Sequence, residues 1–192
     1  MRAVRFHEHG GPEVLQVDEV ERPHPGHGEV VVDVEAAGVN PVDTYFREGS
    51  YPVPHLPFVG GGDLAGVVSE VGDGVDAFAV GDRVLGTGLG NGRPGTYAEA
   101  AVAPAGSLAH LPEGVSFAQG GAPGTAGGAA WQARVHHAGV DLAETVVDHG
   151  GAGGVGYVAI QPAETMGARV TATASPALTP IHISEPTRLG MI

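Results

Sequence analysis

A glycine cluster near residue 150 carries the clearest chemical signal in this chain. Gly151, Gly153 and Gly156 have the spacing G-x-G-x-x-G and follow directly on the apolar run 144–149. This spacing lets bare main chain approach the pyrophosphate of a dinucleotide at a helix N-terminus, where free N–H groups and the helix dipole favour negative charge. The alternative is a glycine-rich turn that binds no ligand. The candidate cofactor-binding residues of the turn are Gly151, Ala152, Gly153, Gly154, Val155 and Gly156.

The segments on either side of the turn predict a strand–turn–helix–strand unit. An apolar strand ends at His149, a helix-compatible stretch begins near Gly153, and a second β-like run spans 168–174. Two parallel strands joined by a crossover helix are the start of a doubly wound sheet. An NAD site usually has Asp or Glu at the end of the second strand, whereas the small hydroxyl residue Ser175 stands here. Ser175 is therefore a candidate cofactor-binding residue that leaves room for the 2′-phosphate of NADP(H).

Residues 1 to about 112 have the pattern of a small β domain. Short segments alternate apolar and polar residues, as half-buried antiparallel strands do, and Gly/Pro turns separate them. The predicted strands are Arg2–Phe6, Val14–Val20, Glu29–Ala36, Leu64–Val71, Asp82–Leu85 and Thr96–Val102. We expect them to form a partly closed barrel. Further along, Phe117–His137 is rich in Ala and Gly and is compatible with helix.

Composition limits the classes of partner. The chain has 192 residues with 22 acidic and 9 basic side chains, and its formal charge of −13 argues against nucleic acid and anionic membrane surfaces. It contains no cysteine, which excludes disulfides, thiolate nucleophiles and sulfur-ligated zinc. The sequence begins in a β-like rather than a signal-like manner, and no apolar run approaches the ~20 residues that span a bilayer. We therefore expect a cytoplasmic protein with no membrane partner.

Ten histidines raise the question of a metal site. Each pair that is close in sequence lies in a predicted turn or at a helix end, and no carboxylate or cysteine completes a set at metal-site spacing. The pairs are His7 with His9, His24 with His27, and His136 with His137. We predict that the chain binds no metal.

Several further stretches together carry a family resemblance. In chain order they are Gly11-Pro-Glu-Val-Leu15, Ala37-Gly-Val-Asn-Pro-Val-Asp-Thr-Tyr45, Gly66-Val-Val-Ser-Glu-Val-Gly72, Val80-Gly-Asp-Arg-Val84, Gly95-Thr-Tyr-Ala-Glu99, Gly154-Val-Gly156 and Gly167-Ala-Arg-Val170. With these motifs in register over 1–176, the chain resembles the quinone oxidoreductase (zeta-crystallin) branch of the medium-chain dehydrogenase/reductases.

The resemblance implies an α/β chain in which a GroES-like β-barrel precedes a truncated Rossmann-type doubly wound sheet. The implied division is a GroES-like domain at 1–115, a partial dinucleotide-binding domain at 116–176 and an unmatched tail at 177–192. NADPH would lie in the cleft between the domains and deliver hydride to a quinone or an activated enone. The resemblance leaves a homodimer open for the full-length family. Because family chains continue much further, we expect an N-terminal fragment with little or no reductase activity of its own.

Two positions match the family's polar residues beside the nicotinamide. Asn40 and Tyr45 are therefore candidate catalytic residues, since an amide and a phenol can orient the cofactor or polarise a substrate carbonyl. Tyr45 is also a candidate cofactor contact; the alternative is an aromatic ring packed beneath the loop of Pro52 and Pro54. Asp63 matches an acidic position near the cleft, and we interpret it as a turn cap outside catalysis.

The departures from the family are also informative. Zinc-dependent alcohol dehydrogenases have a cysteine about where Pro41–Asp43 lie and Gly-His-Glu in place of residues 61–63, and this chain has neither. The family's Leu-Thr-Ala triplet beside the nicotinamide is Gly128-Ala129-Ala130 here. Asp148 puts an acid into an expected buried strand, and Pro162 lies inside the expected helix. A non-catalytic module with a vestigial nucleotide site is therefore the alternative to an NADPH-dependent oxidoreductase.

Overall fold

A computed structural model of the protein describes residues 1–139 and 144–175. Residue contacts divide the chain after Thr125 into two compact units, Met1–Thr125 and Ala126–Ile192. The domain boundary that we predicted between residues 115 and 116 lies within the first unit and stays a prediction. The expected tail at 177–192 lies outside the described residues.

The first unit is built from antiparallel strands. They are β1 (Arg2–Phe6), β2 (Leu15–Glu19), β3 (Glu29–Gly38), β4 (Phe58–Val59), β5 (Asp63–Val71), β6 (Arg83–Gly86), β7 (Ala100–Pro104) and β8 (Leu108–His110). One sheet has the order β2-β1-β4 and the other the order β7-β3-β5-β6-β8. Within the described residues the edge strands β7 and β8 do not pair with each other, so the expected barrel is an open, bulged sheet.

The core of the first unit lies around β3 and β5. Three consecutive residues, Val30–Val32, are fully buried, so both faces of β3 are covered by other parts of the unit. The buried cluster consists of Val30, Val32, Leu64, Val68, Val84, Leu89, Ala101 and Ala103. Burial of these aliphatic side chains fixes the register between β3 and β5, because a shift by one residue would turn them toward solvent.

The helices come from Gly/Ala-rich and capped segments. They are α1 (Pro41–Glu48), α2 (Phe117–Gly121), α3 (Gly124–Trp131) and α4 (Gly154–Thr165), with short 3-10 turns at Pro12–Val14 and Ala105–Ser107 and a π-helical turn at Gln132–His137. No helix in the described ranges is long and apolar enough to cross a membrane.

Six strands were predicted in the first unit, and all six are present: Arg2–Phe6 has the predicted bounds, and the other five have shifted ends. The last one was predicted too long at its beginning. The main chain of Thr96 and Tyr97 bonds instead to the carbonyl groups of Gly61 and Gly60, at 3.2 and 3.0 Å, so the strand starts only at Ala100. Helix α1 and the short strands β4 and β8 were not predicted.

The second unit confirms the predicted strand–turn–helix–strand arrangement. Strand β9 (Thr145–His149) pairs in parallel with β10 (Arg169–Thr173), and α4 connects them. The buried residues of α4 are Gly156, Ala159 and Ala163, all of them small. Pro162 lies inside α4, yet the helix continues to Thr165, and the Pro162 carbonyl accepts a bond from Met166 N at 2.9 Å.

The concern about Asp148 as an unpaired buried acid was wrong. Asp148 Oδ2 accepts a hydrogen bond from Arg134 Nη2 at 2.6 Å. Their side chains are 14% and 10% exposed. Arg134 lies in the π-helical turn before β9. Its guanidinium neutralises Asp148, a pairing that the sequence pattern did not predict.

Candidate functional site

A fully buried carboxylate lies at the centre of the candidate site in the first unit. Asp63, the first residue of β5, accepts hydrogen bonds from four uncharged donors. Oδ1 accepts from the hydroxyls of Thr87 and Thr125 at 2.6 and 2.8 Å, and Oδ2 accepts from Asn40 Nδ2 and Thr125 N, both at 2.8 Å. Asp63 therefore contacts α1, the end of β6 and the start of α3, so the interpretation as a simple turn cap was incomplete.

Asn40 lies where β3 passes into α1. It is the N-cap residue of α1, and its backbone N–H donates to Asp43 Oδ2 at 2.7 Å. Pro41 occupies the first helical position, where its fixed φ favours a helix and its missing N–H is not needed. The sequence Asn-Pro-x-Asp thus carried a signal for α1 that could have been found.

A hydrogen bond between a phenol and a second carboxylate, that of Asp43, supports the same helix. Tyr97 Oη donates to Asp43 Oδ2 at 2.7 Å. Burial of the ring, the hydrogen bond to Asp43 and the negative charges of Asp43 and Asp63 raise the pKa of Tyr97 above its usual value. Tyr97 is therefore a neutral donor that holds the first turn of α1, a role that was not recognised in the motif Gly95-Thr-Tyr-Ala-Glu99.

Tyr45 lies on α1 and remains 44% exposed. Its ring meets that of Tyr51 edge to face, with centroids 5.7 Å apart, and Tyr51 N donates to the Tyr45 carbonyl at 3.1 Å. Phe46 also packs edge to face on Tyr51 at 5.6 Å. Tyr51 was not among the predicted site residues, although its pairing with Tyr45 forms a half-exposed aromatic surface beside the Pro52 loop.

A cavity of about 200 Å³ lies beneath α1. Part of its wall is bare main chain, from Gly60–Gly62 and from Gly88 and Gly90, and Asp43, Phe46, Leu89 and Thr125 also line it. A Cβ at Gly61, whose φ is +94°, would meet Thr96 Oγ1 at 2.5 Å, and one at Gly90 would meet the Gly61 carbonyl oxygen at 2.4 Å. Only glycine fits these positions, so the walls are flat and carry no side chains there.

The glycine turn predicted to bind phosphate has buried glycines at two of the three motif positions. Gly151 and Gly156 are buried, whereas residues 153–155 are exposed. A Cβ on Gly151 would come within 2.5 Å of Ala172 Cβ, and one on Gly156 within 2.5 Å of the Gly150 carbonyl oxygen. The two buried glycines thus allow close packing of strand, turn and helix.

The amides of this turn divide into two groups. Gly150 N and Gly151 N both donate to the Thr173 carbonyl, at 3.1 and 2.9 Å, and are used inside the protein. Within the part of the chain that is described, no side chain caps α4 at Gly153. The first amides of α4 are therefore the donors that an anion could use. Ser175 lies two residues after the end of β10 and is exposed.

The histidines do not converge. Among residues 1–139 and 144–175 no group of three or more His, Cys, Asp or Glu is arranged to hold a metal ion. His7 Nε2 bonds to Asp18 at 2.8 Å and His24 Nδ1 to Glu70 at 2.9 Å. His136 and His137 lie in the π-helical turn.

The candidate residues thus form two sets, each within its own unit. Asn40 and Tyr45 lie in the first unit with Asp43 and Asp63, and the glycine turn and Ser175 lie in the second. Asp43 of the first set lines the glycine-walled cavity, whereas Asn40 and Tyr45 are not among its lining residues. The second set offers main-chain amides at a helix N-terminus.

Comparison with known proteins finds the chain similar to quinone oxidoreductases and to the GroES-like domain of alcohol dehydrogenases. Residues 26–113 match the model of the alcohol dehydrogenase GroES-like domain. The chain is 44% identical over 176 residues to a human quinone oxidoreductase, covering 91% of this chain and 53% of that protein. It thus spans about half the length of the curated relatives that it matches.

Solved structures give the same result. An alcohol dehydrogenase superfamily protein from Novosphingobium aromaticivorans superposes with a TM-score of 0.89 at 40% identity, covering 96% of this chain and 56% of the other. The Escherichia coli quinone oxidoreductase complexed with NADPH superposes with a TM-score of 0.82 at 36% identity, covering 92% and 53%.

Proposed function

Since the chain is a homologue of the quinone oxidoreductases, in the superfamily of medium-chain dehydrogenases and reductases, we propose that it forms part of an NADPH-dependent oxidoreductase. The proposed reaction is hydride transfer to a quinone or an activated enone. The observation that carries the proposal is the parallel β9–α4–β10 unit, whose helix begins at a glycine N-cap with exposed residues at 153–155.

The residues present fit a dinucleotide. The exposed residues Gly154 and Val155 place main-chain amides at the positive end of the α4 dipole, where a pyrophosphate is stabilised, whereas Gly153 N donates to the Gly150 carbonyl at 2.8 Å. Ser175, just after the end of β10, adds no negative charge near the adenosine ribose, so a 2′-phosphate is tolerated. Ala152 completes the turn between the two buried glycines, Gly151 and Gly156.

The first unit supplies the groups that would act on the substrate. When bound, NADPH supplies the hydride. The Asn40 amide and the Tyr45 hydroxyl can each donate a hydrogen bond to a carbonyl oxygen that gains negative charge, which lowers the barrier to its reduction. The half-exposed rings of Tyr45 and Tyr51 present an apolar surface suited to a flat quinone.

The test begins with cofactor binding to the 192-residue chain. NADPH is titrated into the protein while its nicotinamide fluorescence is followed. In the variant Gly154→Asp a carboxylate would stand at the helix N-terminus, in a position where a Cβ has open space, so binding should be lost while the fold remains. The matched control is Gly106→Asp, because a Cβ there also has open space and the site lies on another turn.

Oxidation of NADPH in the presence of a simple quinone is then measured. Saturable binding that Gly154→Asp abolishes, together with quinone-dependent oxidation, supports the proposal. Binding without turnover favours the non-catalytic alternative. No binding at all, or equal binding by Gly154→Asp, would contradict the assignment of the glycine turn.

A further inference from the structure

We infer that Asp63 is a positioning residue: its carboxylate holds the side-chain amide of Asn40 in the orientation that the hydride acceptor or the nicotinamide requires. This inference rests on the proposed function, because it is through Asn40 that Asp63 would influence the reaction. It assigns to Asp63 a role that differs from the turn cap expected from the sequence.

The first step of the argument is the burial of Asp63. A carboxylate with no exposed surface is strongly disfavoured unless its lone pairs are satisfied. The donors that satisfy this one come from positions 23, 24 and 62 residues away in the sequence. A group so buried, and bonded to three separate segments, serves to hold those segments together.

The second step concerns the N-cap of α1. An N-cap asparagine usually bonds its own helix through its side chain. Here Asp43 accepts the Asn40 backbone N–H, and the Asn40 side chain also donates through Nδ2 to Asp63, which lies outside the helix. Because a carboxylate only accepts, Nδ2 must face Asp63, and this choice also fixes the direction of Oδ1. The amide has one further N–H to offer a ligand.

The third step is the space around the carboxylate. A Cβ at Gly38 would lie 2.9 Å from Asp63 Cβ, and a Cβ at Gly124 would lie 2.5 Å from Asp63 Oδ1. Two glycines on different segments therefore make room for this side chain. Thr125 then donates from both its N–H and its hydroxyl, so the same carboxylate holds the start of α3.

Substitutions at Asp63 can separate its role as a hydrogen-bond acceptor from the effect of its negative charge. In Asp63→Asn the amide oxygen can take the place of Oδ2 and keep the bonds from Asn40 and Thr125 N. The new NH₂ group would then face the hydroxyls of Thr87 and Thr125, which can turn and accept. Asparagine should therefore replace aspartate, whereas alanine should release Asn40.

The experiment uses the two asparagines of the chain, Asn40 and Asn91. Wild-type protein labelled with ¹⁵N only at asparagine gives two side-chain NH₂ pairs, and Asn91 is the internal reference. The variant Asp63→Asn adds a third pair, which is identified by its absence from the other variants. Hydrogen exchange of the Asn40 pair is compared in wild type, Asp63→Asn, Asp63→Ala and Thr87→Val. The last variant is the matched control, because it removes a bond to Oδ1 and leaves the Asn40 bond on Oδ2.

We expect the Asn40 amide to exchange slowly in wild type, Asp63→Asn and Thr87→Val, and at the rate of a free side chain in Asp63→Ala. For NADPH oxidation with a quinone, Asp63→Ala should lower kcat about 100-fold with little change in the KM for NADPH, since misplacement of a reacting group acts on the transition state. Asp63→Asn should recover most of kcat.

Two results would overturn the inference: an Asn40 amide in wild type that exchanges as fast as a free side chain, or the same fast exchange of Asn40 in Asp63→Asn. Neither depends on Asp63→Ala being folded. If wild type does not bind NADPH, the proposed function fails while the exchange measurement still decides how Asn40 is held.

Discussion

Loss of the Asp148 carboxylate should destabilise the second unit strongly, although β9 is only a short strand. The carboxylate and the Arg134 guanidinium bond at 2.6 Å, and the two side chains are 14% and 10% exposed. In Asp148→Val the cation would remain buried without a partner, and an uncompensated buried charge costs about 3–5 kcal/mol. Because both side chains keep some contact with solvent, we expect a loss near the lower limit, about 3 kcal/mol in the free energy of unfolding.

A double-mutant cycle separates the ion pair from simple packing. Arg134→Met should also cost about 3 kcal/mol, since the acid is then left alone. The double variant should return to within about 1 kcal/mol of wild type, because well-packed apolar residues often replace a buried ion pair without loss. Unfolding in urea is followed by the fluorescence of Trp131, the single tryptophan of the chain, which lies in the second unit.

The cycle has a clear contrary outcome. If the double variant loses about as much as the two single variants together, roughly 6 kcal/mol, the residues act independently. The interpretation that Arg134 neutralises Asp148 would then be refuted. The loss of unfolding free energy on substitution of Asp148 would need another explanation.

Three further outcomes are expected. The hydrogen bonds from Gly26 N–H and Arg93 lower the pKa of Glu29. The Glu29 carboxylate therefore stabilises the fold above its ordinary pKa of 4.5, and this stabilisation is lost as pH falls through the lowered pKa. The urea midpoints of wild type and Glu29→Gln should differ near neutral pH and converge in acid. The raised pKa of Tyr97 means that its stabilising effect is present below its ordinary value of 10.0 and is lost as pH rises through the raised value. Alkaline absorbance titration should show fewer late-ionising tyrosines in Tyr97→Phe, and an unchanged titration would contradict the bond to Asp43. Ser175→Asp should weaken NADPH relative to NADH in parallel fluorescence titrations, because a carboxylate repels the 2′-phosphate and accepts from a ribose hydroxyl; an unchanged ratio would count against that position.

The parts of the fold that depend on local pattern could be predicted from the sequence. Gly151, Gly153 and Gly156 sit in a short segment whose order of strand, glycine turn, helix and strand predicts a parallel pair, and β9 pairs with β10 in this way. Helix α1 was missed because it is short and lies among strands, although Asn40 and Asp43 carried its cap signal.

The parts that depend on distant contacts could not be predicted in the same way. Asp63 and Thr125 are 62 residues apart, and nothing in their local sequence shows that one will bond the other. Arg134 and Asp148 lie 14 residues apart on different elements, so an acid that looked costly in its strand was paired by a cation outside it. Asn40 and Tyr45 were found only through the family resemblance, and their roles stay predictions.

The glycine walls of the cavity beneath α1 limit how an engineer could reshape it. Saturation mutagenesis at Gly61 or Gly90 should return mostly unfolded variants, since any side chain there would collide with Thr96 or with the opposite main chain. New selectivity for larger or differently shaped molecules would have to come from the side-chain part of the lining, at Val42, Phe46 or Asn91. A focused library at these three positions would therefore sample functional variation far more efficiently than random mutagenesis of the whole lining.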